Sequence, residues 1–113
     1  MSSALLPETS HGSVLVQWLL PINDNDGARF PQALFADVRG EMTEAFGGVT
    51  AYPHAPAVGL WDDDGVVQRD QLVLFEVLVA SFDRAWWATY RDGLCKRFQQ
   101  EAIQLRIIPC EVL

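Results

Sequence analysis

Ala33–Phe46 (ALFADVRGEMTEAF) and Ala85–Phe98 (AWWATYRDGLCKRF) can be laid on each other without a gap, at the 52-residue offset that separates Ala33 from Ala85. Ala33/Ala85, Ala36/Ala88, Arg39/Arg91 and Phe46/Phe98 are identical, and Phe35/Trp87, Val38/Tyr90 and Met42/Leu94 agree in being apolar. Each segment repeats its apolar residues at helical spacing, and each has a β-rich run before and after it. The chain therefore reads as one βαβ unit written twice. A duplicated unit constrains the architecture; it leaves the chemistry open.

Outward from the two helices, Ser13–Leu20 (SVLVQWLL) is rich in β-branched and aromatic residues and ends at Pro21, as a strand does. Pro31 is expected at the first helical position, where its missing N–H costs nothing, and Gly47-Gly48 stops the first helix. Val49–Trp61 carries Pro53 and Pro56, which cannot donate to a ladder, so this strand belongs at a sheet edge. Asp62–Gly65 is expected to be a hairpin turn, and a third strand runs from about Val66 to Ala80. Its nearly unbroken apolar core, Leu72–Val79, suits a central position. Asp83 is expected to cap the second helix. A fourth strand is expected over Ala102–Ile108, ahead of Pro109.

The order β-α-β-β-α-β, with right-handed crossovers, puts the first and third strands side by side in the centre, where they are expected to run parallel, and the other two at the edges. The pattern resembles the ferredoxin-like α+β sandwich: a four-stranded antiparallel sheet of order 4-1-3-2 with two helices on one face. One such domain is expected over residues 13–113, preceded by a loose tail over residues 1–12.

The bulk properties narrow the functional classes. Half of the 113 residues are apolar and a fifth are charged, which suits a globular core. The formal net charge of −7 repels phosphate backbones and anionic membranes, so nucleic acid and membrane are not expected partners. Cys95 and Cys110 form neither a CxxC pair nor a disulfide framework, which suits unpaired thiols in the cytoplasm. MSSALLPETSHGS has no basic start and no long apolar run, so it does not read as a signal peptide.

Side chains alternate across a sheet, so each strand can be divided between two faces. Val14, Val16, Trp18 and Leu20, Val73, Phe75, Val77 and Val79, and Ile103, Leu105 and Ile107 form a clean apolar set that must meet the helices. The other face mixes Leu72, Leu74 and Leu78 with Glu76, Leu15 and Leu19 with Gln17, and holds Gln104 and Arg106. A solvated face does not need so many leucines, and a buried one does not hold an unpaired Glu. The expectation is a homodimer formed through this open face, with Gln17, Leu72, Leu74, Glu76, Leu78 and Arg106 in the interface. The alternative is a half-wet sheet with a local Glu76–Arg106 pair.

No segment carries a strong catalytic, metal or cofactor motif, and neither a metal nor a cofactor is expected. In Asn23-Asp24-Asn25-Asp26-Gly27 the calcium-loop register fails, because Ile22 and Ala33 fall where oxygen ligands belong. The loop nevertheless follows the carboxyl end of a central strand, where open α/β sheets bind ligands. Asn23, Asp24, Asp26 and Arg29 are therefore the first candidate small-molecule site. Tyr52 and His54 beside the proline-bearing edge, and Trp86 at the margin of the second helix's apolar stripe, complete the candidate ligand-binding set. No catalytic residue can be assigned.

Phe46–Tyr52 (FGGVTAY), Gly59–Trp61 (GLW) and Asp83–Arg91 (DRAWWATYR) resemble segments of small uncharacterised bacterial proteins of ferredoxin-like shape. The resemblance implies the fold and no particular activity. RNA-recognition modules, with aromatic and basic residues on the open face, do not match Leu72, Leu74, Glu76 and Leu78. Cysteine-based metal binders, iron–sulfur ferredoxins and acylphosphatases are set aside because their loop residues are missing here. Two functions remain. One is a non-enzymatic dimeric module that binds a small molecule or a protein partner. The other is a cofactor-independent enzyme, like those of the dimeric α+β-barrel group, acting on a small apolar substrate. A core filled by Trp18, Trp87, Phe35 and Phe98 argues against the second.

Overall fold

The two central strands set the architecture, because each has one wholly apolar face and one face on which leucines share space with Gln17 or Glu76. The computed structural model describes residues 13–58 and 69–113. In chain order it contains β1 (Val14–Pro21), α1 (Gln32–Phe46), β2 (Thr50–Val58), β3 (Arg69–Val79), α2 (Arg84–Arg97) and β4 (Arg106–Pro109). The sheet order β2-β3-β1-β4 is the expected one, counted from the opposite edge. Proline-bearing β2 lies at an edge, and its register slips by one residue between Tyr52 and Ala55, a bulge that takes in Pro53. The Asp62–Gly65 turn and Trp61 lie outside the described residues.

All three strand pairings are antiparallel. The central strands β1 and β3 thus oppose each other, which corrects the expectation of a parallel centre. The reason is topological. A helical crossover returns β2 parallel to β1, and the reversal from β2 into β3 then turns β3 against both. A second correction concerns β4. It pairs with Val14–Gln17 of β1 only from Arg106 onward, so residues 102–105 have no ladder. Ile103 is buried all the same, folded against the core from an irregular segment.

On β1 and β3 the helix-facing side is the clean set. On β4, by contrast, Ile107, opposite Val16, is 39% exposed and Leu105 lies outside the ladder, because this short strand extends beyond the cover of the helices. Val16 pairs with Val77, Trp18 with Phe75 and Leu20 with Val73, all buried beneath the helices. Trp18 stacks on Phe75 with ring centroids 5.6 Å apart and planes 8° from parallel. Trp87 of α2 meets Trp18 at 5.6 Å, tilted by 58°. Phe98 packs against Phe30 at 5.2 Å and against Phe35 at 5.3 Å. Burying one such ring contributes roughly 4–6 kcal/mol at about 25 cal/mol per Å². The indole N–H of Trp18 has no hydrogen-bond acceptor, and the rings around it offer weak acceptors at most.

The helix ends follow from local chemistry. Gly47 closes α1 in the left-handed region (φ 85°), its N–H donating to the Thr43 carbonyl. Asp83 caps α2 by accepting from the Trp86 N–H at 3.1 Å. Pro31 sits one position earlier than expected, as the N-cap of α1, because its ψ of 143° is extended. Gln99, which corresponds to Gly47 at the repeat offset, also takes positive φ (54°), so the repeat extends through the helix stops. A polar clamp joins the helices: Arg97 Nη1 donates to both oxygens of Glu41 at 2.9 and 3.0 Å, and the Tyr90 hydroxyl donates to Glu41 Oε1 at 2.8 Å.

Two outcomes are expected of this packing. Phe98→Ala removes a ring with no solvent exposure and should destabilise the fold by about 3–5 kcal/mol in a denaturant titration. Burial, together with the Glu41 carboxylate, pushes the Tyr90 hydroxyl well above its ordinary value of 10.0. As pH rises past 10, the unfolded chain therefore releases this proton first, and stability falls. In paired unfolding titrations the advantage of the native chain over Tyr90→Phe should be constant below that pH and shrink above it.

Candidate functional site

On the open face, one row of residues crosses the whole sheet. Arg106 is paired with Gln17, Gln17 with Glu76, and Glu76 with Thr50. Glu76 is held from two sides: the Gln17 side-chain amide donates to Oε2, and the Tyr52 hydroxyl donates to Oε1 at 3.0 Å. Tyr52 reaches Glu76 diagonally, since its own cross-strand partner is Leu74. A Glu76–Arg106 ion pair does not form, because Gln17 on β1 stands between them. Around this carboxylate lie Leu15, Leu19, Leu72 and Leu74, half-buried, and Leu78, 46% exposed.

The Asn23–Gly27 loop is largely occupied with itself. Asp24 Oδ1 accepts from the N–H groups of Asp26 (2.9 Å) and Ala28 (2.8 Å). The Asp24 carbonyl accepts from Gly27, whose φ of 87° suits glycine, and Asn23 bridges to Arg29 across the loop. The loop is a small self-capped hairpin. Asn23, Asp24 and Asn25 do line one side of a broad cleft of about 870 Å³, whose far side is Leu19 and Leu72 of the open face and Gln100 and Ile103. Asp26 and Arg29 lie outside that lining.

Arg29 instead belongs to a second cavity, on the helix side of the sheet. This one holds about 340 Å³ between α1 and the β2–β3 edge, lined by Ile22, Phe30, Phe35, Val73, Ala51 and Pro53, with Arg29, Arg39 and Gln32 at its rim. Arg39 and Ala51 were not anticipated as lining residues. The available signal was the repeat itself, which sets Ala51 against Ile103. Trp86 stacks on Tyr90 at 5.3 Å and meets Phe46 edge-on, beside a shallow surface hollow that includes Asp83 and Thr89. The side chain of His54 lies outside the described residues. The candidate residues thus fall in separate places: Tyr52 with Glu76, Asn23 and Asp24 in the cleft, Arg29 in the second cavity, and Trp86 on the helices.

Among the described residues no cluster of three or more His, Cys, Asp or Glu side chains is arranged to hold a metal ion. Among them, too, no helix is long and apolar enough to cross a membrane. The electrostatic signature of the open face is at Tyr52, whose hydroxyl pKa is raised chiefly by its hydrogen bond to the Glu76 carboxylate. The chain has two tyrosines, so Tyr90→Phe leaves Tyr52 as the only phenol to titrate. In that background Glu76→Gln should shift the absorbance titration of Tyr52 to lower pH. An unshifted curve would break the link between the two side chains.

The chain matches no family model and no curated protein. Solved structures of similar shape do exist. A phage SAM lyase, in complex with S-methyl-5'-thioadenosine, superposes with a TM-score of 0.57 at 12% identity, covering 89% of this chain and 84% of the lyase. The divalent cation tolerance protein CutA1 of Thermus thermophilus gives 0.56 at 13% identity, covering 86% and 82%. CutA1 of Oryza sativa gives 0.56 at 16% identity, covering 93% and 85%. At such identities the likeness establishes the ferredoxin-like α+β fold alone.

Proposed function

We propose that this chain is a non-enzymatic ferredoxin-like module that pairs with a second copy through its open sheet face and binds a small molecule. The observation that carries the pairing is the open face itself. Half-exposed leucines surround a carboxylate that is already hydrogen-bonded within its own sheet, so a facing surface can bury the leucines without leaving the carboxylate oxygens unbonded. Gln17, Leu72, Leu74, Glu76, Leu78 and Arg106 would form that interface. With two cysteines free of any disulfide, the module belongs in a reducing compartment, the cytoplasm.

Two observations favour binding over catalysis. Trp18, Trp87 and Phe98 fill the space between helices and sheet, with Phe35 closing its margin. The cavity at that margin is lined by apolar groups, an amide and two guanidiniums, none of which is a general base at neutral pH. That the same fold in a phage lyase holds S-methyl-5'-thioadenosine is in keeping with a small organic ligand for this architecture.

Sedimentation at micromolar concentration tests the pairing. The native chain should sediment at twice its 12.6 kDa mass. Leu74→Glu combined with Leu78→Glu should yield a monomer with an unchanged circular dichroism spectrum. A monomeric native chain would remove the pairing half of the proposal.

A further inference from the structure

The core is not sealed evenly. Val16, Leu20, Val38, Met42, Phe75, Leu94 and Phe98 have no exposure at all. Ile22, Phe30, Phe35 and Val73, at 5%, 6%, 9% and 8%, keep some, and all four line the same cavity between α1 and the β2–β3 edge. At this margin, on the helix side of the sheet, the hydrophobic core opens to solvent. Its volume of about 340 Å³ lies at the small end of the roughly 300–1,000 Å³ range of ligand sites.

The repeat shows why the opening is there. At the same offset, α2 presents Trp87 where α1 presents Phe35, and the second half has Ile103 where β2 has Ala51. Trp87 is sealed against Trp18 and Phe46, whereas Phe35 and the small Ala51 border open space. The charges differ in the same sense. Arg91 contacts the neighbouring Asp92 at 3.5 Å, whereas Arg39, its counterpart, is followed by Gly40. Among the described residues neither Arg39 nor Arg29 is in an ion pair, and no carboxylate lines the cavity. In a chain of formal charge −7, two guanidiniums with no ion-pair partner among the described residues, over an apolar hollow, are a local inversion.

We infer that this cavity is a binding site for a small organic carboxylate with an aromatic body, an arylcarboxylate. The ring would lie among Phe30, Phe35 and Val73, and the carboxylate would accept from Arg29 and Arg39, whose planar forks match it. Ala51 supplies the room, and Pro53 in the β2 bulge forms the lip. This inference rests on the small-molecule half of the proposal above and gives it a place and a ligand class. It is independent of the pairing half, because the cavity and the open face lie on opposite sides of the sheet.

The test is titration of the full chain with phenylacetate and, separately, with its neutral isostere phenylacetamide, followed by amide NMR shifts. Phenylacetate should perturb Phe35, Ala51 and Val73 and bind at least about ten-fold more tightly than the amide, the difference expected of a charge-assisted hydrogen bond. Arg39→Gln and Arg29→Gln should each weaken phenylacetate by a similar factor and leave the amide unaffected. Ala51→Ile, which copies the other half of the chain, should abolish binding of both while keeping the thermal midpoint at or above the native one. Equal binding of acid and amide, unaltered binding in Ala51→Ile, or no binding of phenylacetate to the native chain at about 10 mM would overturn the assignment. A monomeric but phenylacetate-binding chain would overturn the pairing alone.

Discussion

The pairing of Gln17 with Glu76 is the constraint on which the rest of the structure depends. The two residues are opposite each other in the β1–β3 ladder, and their side chains are hydrogen-bonded on the open face. A slip of one residue would exchange the faces of β1, bringing Gln17 beneath the helices and turning Trp18 outward. If β3 were inverted instead, Glu76 would enter a core that holds no buried polar or charged side chain among the described residues, at a cost of several kcal/mol. The polar row therefore fixes the register from outside. The stack of Trp18 on Phe75, and the seating of Trp87 upon it, are consequences of that register.

The duplicated unit has been filled to different degrees in its two halves. Helix stripe, helix stop and central strand recur at constant spacing and serve packing in both. In the second half Trp87 is sealed within the core, whereas in the first half Phe35 and Ala51 border an open cavity. The long Pro21–Phe30 connection also belongs to the first half, and it brings Ile22, Phe30 and Arg29 to the same margin. Packing and opening are thus distributed between halves of one design.

Much of this was legible in the sequence, because the relevant signals are local and periodic. Val16/Trp18/Leu20 and Val73/Phe75/Val77/Val79 alternate with period two, and Phe35, Val38 and Met42 recur with the period of a helix. Gly47 and Asp83 mark helix ends by their own conformational chemistry, and Pro53 and Pro56 identify an edge by a missing donor. What could not be seen depends on partners distant in the chain. The direction of β3 follows from counting reversals, not from its residues. Ile103 looks like a strand residue by alternation, yet the ladder with β1 begins only at Arg106. Asp24 looks like a ligand by type, yet the N–H groups it binds are those of Asp26 and Ala28. The cavity is bounded by residues from four separate segments, so no single stretch announces it.

The bulge at Pro53 bears on how this protein behaves among many copies of itself. An exposed strand edge is a template onto which another strand can add, and repeated addition yields fibrils. β2 lacks the donors of Pro53 and Pro56, and its one-residue slip kinks the strand away from the straight edge that addition requires. On the opposite side, β4 offers only four residues and ends in Pro109. Both borders of the sheet are thereby closed to open-ended growth. The proposed pairing through the leucine-rich broad side is then a closed one, because neither border invites a third copy.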